Sequence, residues 1–140
     1  MCLLEQVTLA PLTKRSEVFV TALHQQEIGT KWIRSDQESV YEIRLRTQCV
    51  GFIMISTIKP EANLVNVAVE KPLQNLGVGH QAMTLLVRKL KRSKITQLHL
   101  EVRQQSPAVR FYRRHGFYET GIRKAYYADG ENALLMTKDL

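Results

Sequence analysis

The chain has 140 residues, of which 44% are hydrophobic and 24% charged, and its formal net charge at pH 7 is +7. This length and apolar fraction exclude a disordered chain and predict a single folded domain over residues 1–140. The longest apolar run is too short to cross a bilayer, no secretory signal is visible, and the only cysteines, Cys2 and Cys49, make no disulfide framework, so a cytoplasmic protein without a membrane segment is expected.

Hydrophobic periodicity predicts a strand, a helix and three further strands in the first half of the chain. The strand covers residues 7–9, and helical spacing runs from about Leu12 to Gln26. Strict alternation over 41–46 and an apolar run over 50–55 predict two strands that turn at 47–48. Residues 59–62 are expected to end the strand over 50–55 before the next strand over 64–69 begins. Residues 28–39 have no recognisable signature beyond Trp32.

The second half predicts a helix, a strand, a helix and two final strands. The helix follows the glycines of 74–79 and ends in the cations of 88–92, as a helix dipole favours. The strand over 98–103 alternates, and Ser106 and Pro107 predict the cap and first position of a helix that ends near 115–116. Residues 118–140 predict two strands joined at the Asp-Gly turn of 128–130.

The stretch 77–82, Gly-Val-Gly-His-Gln-Ala, also fits the outline of a dinucleotide-binding fingerprint, with Glu101 roughly 20 residues further on. In that fingerprint the first glycine follows the strand directly, whereas here the strand ends near Val69. Glu101 lies inside an alternating strand, and the chain is too short for a nucleotide domain plus a substrate domain. We therefore reject the dinucleotide interpretation.

Residues 67–79 resemble the Q/R-x-x-G-x-G/A loop of the GNAT N-acetyltransferases, with Gln74, Gly77 and Gly79 at the motif positions. Residues 98–117, which end in Tyr-x-x-x-Gly-Phe, resemble the same family, and residues 121–136 resemble its protein N-terminal acetyltransferases. The resemblance covers about 64–140. It implies an α/β (α+β) GNAT fold, with a mixed, mostly antiparallel sheet of six to seven strands, splayed between the fourth and fifth and flanked by about four helices.

The resemblance also implies a site for acetyl-CoA, whose pyrophosphate the loop and helix N–H groups would hold. By itself, the motif fits a plain glycine-rich turn equally well. Asn75 replaces the usual Arg of the family, and Gln105 stands where the family often has Asn. The implied cofactor-binding residues are Val67, Val69, Gln74, Asn75, Leu76, Gly77, Val78, Gly79, His80, Gln105 and Tyr112.

Glu101 resembles the base of related enzymes, which takes a proton from the amine through water. An α-amine, with a pKa of about 8, releases that proton more easily than lysine at about 10.4. The alternative is a strand glutamate paired with a cation such as Arg103 on the same face. His99 is the second choice of base.

Tyr112 resembles the general acid that protonates the departing CoA thiolate. Its alternative role is aromatic packing beside Phe111 and Phe117. A backbone N–H near Val69 is expected to meet the oxyanion at the splay. No metal is expected, because the four His and two Cys lack metal-ligand spacing.

Tyr126 and Tyr127 are the substrate-binding residues that the resemblance implies. Asn66, a further substrate-binding candidate, and Ala68 share the other face of the strand that carries Val69 and are expected to line the cleft. The two tyrosines fit ordinary strand aromatics equally well. The expected function is acetyl transfer from acetyl-CoA to an amine, foremost the N-terminal amine of a ribosomal protein. The alternatives are acetylation of a small amine (polyamine, amino acid or aminoglycoside) and a non-catalytic CoA- or ribosome-binding module.

The net charge of +7 implies an anionic partner. The phosphates of CoA and a client near ribosomal RNA fit this charge. Along the sequence, the basic residues look scattered and are not interleaved with exposed aromatics, which disfavours a dedicated nucleic-acid module. No direct DNA binding is expected.

Overall fold

The computed structural model describes residues 6–29 and 35–140, so Cys2 and Trp32 lie outside the described residues. The strands are β1 (Val7–Pro11), β2 (Glu38–Leu45), β3 (Gln48–Ile58), β4 (Glu61–Val69), β5 (Gln97–Arg103), β6 (Tyr118–Arg123) and β7 (Ala133–Asp139). The helices are α1 (Lys14–Ile28), α2 (Val78–Arg92) and α3 (Ala108–Arg114), with a 3-10 turn at Lys71–Leu73.

The strands form one seven-stranded sheet in the order β1-β2-β3-β4-β5-β7-β6. Every neighbouring pair is antiparallel except β4 and β5, which are parallel. The predicted mixed, mostly antiparallel sheet is therefore confirmed. In the described part of the chain, three α-helices and the 3-10 turn accompany it, where about four helices are predicted.

The parallel pair β4–β5 is joined only at its start, where residues 61–64 pair with residues 97–100. Beyond Leu64 the two strands diverge, which confirms the predicted splay. A register shift in the β3–β4 ladder, with Ile55 opposite Leu64 and Met54 opposite Asn66, leaves Val65 as an extra residue. Such a bulge bends its strand. We call the gap between residues 65–69 and residues 101–103 the slot.

Helices cover both faces of the sheet. Helices α2 and α3 pack on one face with Leu98, Leu100 and Met136, and α1 packs on the other with Phe52 and Met54. Because side chains alternate along a strand, His99 and Glu101 of β5 point to the α1 face. No helix of the described residues is long and apolar enough to cross a membrane.

Some predicted boundaries are wrong. The turn predicted at 47–48 lies at 46–47. The break predicted over 59–62 is only the turn at Lys59 and Pro60, because Glu61 already pairs with Ile58 in the β3–β4 ladder. The third helix starts one residue later than predicted, at Ala108. Ser106 Oγ accepts the Ala108 N–H at 3.1 Å, so the serine caps the turn as expected, but Pro107 precedes the helix.

Candidate active site

A cleft of about 630 Å³ lies on the α1 face of the sheet, beside the slot. Five residues predicted for the site line this cleft: Asn66, His99, Glu101, Tyr126 and Tyr127. Asn66 also lies 3.3 Å from the ring of His24, measured from Nδ2 to Nε2. Ala68 does not line the cleft as expected, since it packs against α1 in the second core cluster.

Glu101 extends from β5 into the cleft, with 34% of its side-chain surface exposed. Its Oε1 lies 3.2 Å from Nε of Arg123, which belongs to β6. The alternative role, pairing with a cation, is therefore present, but the partner is Arg123 and not Arg103, which binds two carboxylates of the loop after β6. Sequence reasoning missed Arg123, since only the long-range register of β6 on β7 brings it to β5.

Both ring nitrogens of His99 have partners. Nδ1 lies 2.7 Å from Thr137 Oγ1, and Nε2 lies 3.1 Å from Glu61 Oε1. Because an ionised carboxylate only accepts, Nε2 donates to Glu61 and Nδ1 accepts from the threonine hydroxyl. Because both nitrogens of His99 already have partners within the protein, Glu101 stays the first candidate for the base.

The connection between β6 and β7 is a loop over residues 124–132, which we call the tyrosine loop. The predicted Asp-Gly turn is present, with the N–H of Gly130 bound to the carbonyl of Tyr127 at 2.9 Å. It does not join the strands directly as predicted. Asn132 ties the two ends of this longer loop together. Its Oδ1 accepts the N–H of Ala125 at 2.9 Å, and its Nδ2 donates to Gln104 at 3.1 Å.

Arg103 anchors the tyrosine loop. Its Nη1 lies 2.8 Å from Asp129 Oδ2 and 2.7 Å from Glu131 Oε2, and its guanidinium carbon lies 4.1 Å from the ring centre of Tyr127. The other oxygen of Glu131 accepts the backbone N–H of Gln105 at 3.1 Å. Tyr127 is predicted to bind the acceptor substrate and Gln105 the cofactor. The side chains of Arg103 and Glu131 thus link these two residues.

Replacing Arg103 with Ala should raise the KM for a peptide acceptor by roughly three- to tenfold, because Tyr127 loses its stacking partner and the loop its anchor. The KM for acetyl-CoA should stay unchanged, which steady-state kinetics with each substrate varied in turn will measure. Lys124→Ala, in the same exposed loop, is the matched control. An equal rise in both KM values would identify a general loss of structure instead.

The turn before α2 leaves an uncapped helix start. Asn75 and Gly77 have φ angles of 64° and 88°, and this left-handed backbone directs the chain into a helix that begins at Val78. No side chain caps this helix end in the described structure. Its first N–H groups and the positive end of its dipole therefore favour an anion.

Gln74 ties this turn to the rest of the protein. Its Nε2 donates to the carbonyl of Val69 at 2.7 Å and approaches Glu27 Oε2 of α1 at 3.4 Å. The N–H of Glu70 donates to Val50 of β3, so the N–H of the preceding residue, Val69, points to the opposite edge, which is the slot. That orientation suits the predicted oxyanion donor.

Neither the backbone conformation nor the packing of the protein requires a glycine at position 79. Its φ is not positive, and a Cβ built there would lie 4.0 Å from Phe111 and from Val69 Cγ2, which is ordinary contact. The protein itself would accept alanine at this position. The glycine leaves the helix start accessible to a group from outside.

Tyr112 is 8% exposed and packs edge-on against Phe111 and Phe117, with ring centres 5.4 and 5.5 Å apart. Burial raises its pKa to about 12. The packing role is therefore present, and the hydroxyl stays protonated throughout the neutral range, as a proton donor must.

His80, at the start of α2, packs against His115 with ring centres 4.2 Å apart and the ring planes tilted by 47°. Burial, helped by His80 and Lys138, lowers the pKa of His115 to about 4. The unfolded chain binds this proton near pH 6.5, so the contribution of His115 to stability falls as pH drops from about 6.5 toward 4.

His115→Gln should therefore weaken the pH dependence of the melting temperature over this interval. Thermal melts at pH 7 and pH 5 will measure the change for both proteins. If the melting temperature falls equally between pH 7 and pH 5 for the variant and the unmodified chain, the assigned pKa of His115 is contradicted.

The candidate residues thus lie on two sides of the slot. Val69, Tyr112 and residues 74–80 belong to the side of α2 and α3, while Glu101 and the tyrosine loop belong to the side of α1. A donor bound on one side can meet an acceptor bound on the other only through the slot. No group of His, Cys, Asp and Glu among the described residues is arranged to hold a metal ion.

Comparison with known proteins agrees with this geometry. The family model for the acetyltransferase (GNAT) domain matches residues 5–140. The N-alpha-acetyltransferase of Sulfolobus acidocaldarius is 32% identical over 120 residues, which cover 74% of this chain and 70% of that protein. The ribosomal protein bS18-alanine N-acetyltransferase of Haemophilus influenzae is 37% identical over 93 residues, 64% of each chain, so this chain spans just under two thirds of that relative.

A solved structure extends the comparison to the fold. The ribosomal-protein-S18-alanine N-acetyltransferase from Escherichia coli superposes with a TM-score of 0.84 at 24% identity. The superposition covers 95% of this chain and 93% of that one. It shows that the two proteins share a fold over nearly their whole lengths.

Proposed function

The chain belongs to the acetyltransferase (GNAT) domain family of acyltransferases, and on this basis we propose that it transfers acetyl from acetyl-CoA to the N-terminal α-amine of a protein. The observation that carries the proposal is the two-sided slot, with an uncapped helix start on one side and Glu101 in an open cleft on the other. The relatives named N-alpha-acetyltransferase and bS18-alanine N-acetyltransferase support this class of acceptor.

In the proposed reaction, Glu101 takes a proton from the ammonium group through a water molecule. The neutral amine attacks the thioester carbon, so a C–N bond forms and the C–S bond breaks. The N–H of Val69 donates to the oxyanion during this step. As the C–S bond breaks, Tyr112 gives its proton to the leaving thiolate. The acetylated nitrogen gives its second proton to water, and Tyr112 regains one from solvent.

On the donor side, the pyrophosphate of acetyl-CoA lies on the N–H groups of 77–80, and the pantetheine arm enters the slot beside Val67 and Val69. Leu76, which is 53% exposed, lies at the edge of this site. On the acceptor side, Tyr126 and Tyr127 flank an extended peptide that enters end-on. The proposed client is a ribosomal protein that begins with a small residue, acetylated in the cytoplasm.

A panel of amines tests the choice of acceptor. It contains a peptide with a free N-terminal alanine, the same peptide with a blocked N-terminus and a free lysine, and spermidine. Mass spectrometry of the products should locate the acetyl group on the α-amine alone. Exclusive modification of lysine or spermidine would contradict the N-terminal acceptor and leave the acetyltransferase assignment intact.

A further inference from the structure

The positive charge of the chain comes from one segment. Residues 71–118 contain ten Lys and Arg but a single acidic residue, Glu101, which gives them a formal charge of +9. The rest of the chain has ten basic and twelve acidic residues, a formal charge of −2. The fold therefore decides whether this charge is dispersed or gathered.

The fold gathers it, because α2 and α3 pack on the same face of the sheet. Their basic side chains point outward, and we call this surface the basic face. Its exposed members are Arg88, Lys89, Lys91, Arg92, Lys94, Arg110, Arg113 and Arg114. Of these, Arg113 pairs with Glu119, and within residues 6–29 and 35–140 no carboxylate pairs with the others.

A shallow depression marks the centre of the basic face. It measures about 290 Å³ and is lined by Thr84, Val87, Arg88, Lys91, His115 and Lys138. The Nζ of Lys138 is held there by the carbonyl of His115 at 2.6 Å. Cations from a helix and from a strand thus line one concave site whose charge suits a phosphate group.

This site is separate from the proposed pyrophosphate site. Lys91 lies twelve residues after Gly79 on α2, and at 1.5 Å per residue this separation is about 18 Å. The cleft with Glu101 opens on the opposite face of the sheet. A large partner on the basic face would leave the cleft open to a peptide.

We propose that the basic face binds the phosphate backbone of double-helical RNA. The exposed charges without carboxylate partners complement a regular polyanion, and phosphate contacts of this kind need no base reading. None of the large exposed hydrophobic side chains belongs to residues 78–117, so the face lacks the apolar anchors of a membrane-binding surface. If the proposed function holds, such binding would keep the enzyme close to new ribosomal proteins on ribosomal RNA.

Fluorescence anisotropy with a labelled RNA hairpin of about 20 base pairs tests this proposal without any acetyl transfer, so its failure is distinct from failure of the proposed function. The chain should bind the hairpin. If about four phosphates are neutralised, affinity should fall on the order of 100-fold between 50 and 200 mM salt. A DNA hairpin of the same sequence tests whether the A-form helix is recognised. Binding of DNA but not RNA would overturn the proposal.

The double variant Arg88→Glu/Lys91→Glu should lose RNA affinity by about tenfold or more. Lys14→Glu/Lys59→Glu, exposed and outside residues 71–118, makes the same change in net charge and should keep the affinity within about twofold. Equal loss in both variants would overturn the basic face as the site. A matching loss of acetyl-CoA affinity in the first variant would assign its cations to the cofactor and overturn the proposal as well.

Discussion

Replacing Glu101 with Gln should lower the turnover of a peptide with a free α-amine by roughly 10²- to 10⁴-fold at neutral pH, the range for a lost general base. Acetyl-CoA binding should change little, because Glu101 lies on the cleft side of the slot. The deficit should shrink above about pH 8, where the amine is already neutral without help. Initial rates measured between pH 6 and pH 10 will give both profiles.

Arg123→Gln provides the matched control, since it breaks the same ion pair and keeps the carboxylate. If Glu101 is the base, this variant should lose less than about tenfold in turnover, as expected for one partly exposed ion pair. Equal losses in the two variants would show that the pair stabilises the cleft and that Glu101 has no separate role. The base would then have to be sought elsewhere in the cleft.

Gly79→Val should abolish the stabilisation of the protein by acetyl-CoA, which for the unmodified chain is about 2.7 kcal/mol at a ligand concentration of 100 times Kd. The physical reason is steric, because a branched side chain fills the space at the helix start. Without ligand, the melting temperature of Gly79→Ala should not fall, since its Cβ meets nothing closer than 4.0 Å. Thermal melts with and without acetyl-CoA measure both quantities.

Gly51→Ala is the comparison variant in the same assay, because the packing of the protein requires a glycine at this position. A Cβ at that position would lie 2.3 Å from the carbonyl oxygen of Ala68, so this variant should melt lower even without ligand. NADH should stabilise none of these proteins. Stabilisation by NADH and not by acetyl-CoA would contradict the proposed cofactor and revive the dinucleotide interpretation.

Local patterns predicted most of the architecture. Alternation in β2 and β5 and helical spacing in α2 depend on neighbouring residues, and the structure has each of these elements within a few residues of its predicted bounds. The splay between β4 and β5 came from the family resemblance, because the bulge at Val65 leaves no local signal. The first helix is also confirmed, although it begins at Lys14, two residues after the prediction.

The parts of the site that sequence reasoning missed depend on contacts between distant residues. The partner of Glu101 is Arg123, and that of Arg103 is the tyrosine loop, although alternation puts Glu101 and Arg103 on one strand face. The partners of His99, Glu61 and Thr137, come from two different strands. Side-chain pairing of this kind follows from register and loop path, neither of which is encoded by a short motif.

The slot has a consequence for the lifetime of the protein. Past residue 64, the fourth strand has no backbone partner on the side of the fifth, so two strand edges lie unpaired inside the sheet. Open edges invite pairing with other chains and local opening to proteases. If acetyl-CoA fills the gap as proposed, its removal exposes those edges, and we expect the intracellular half-life of the enzyme to shorten when carbon starvation depletes the acetyl donor.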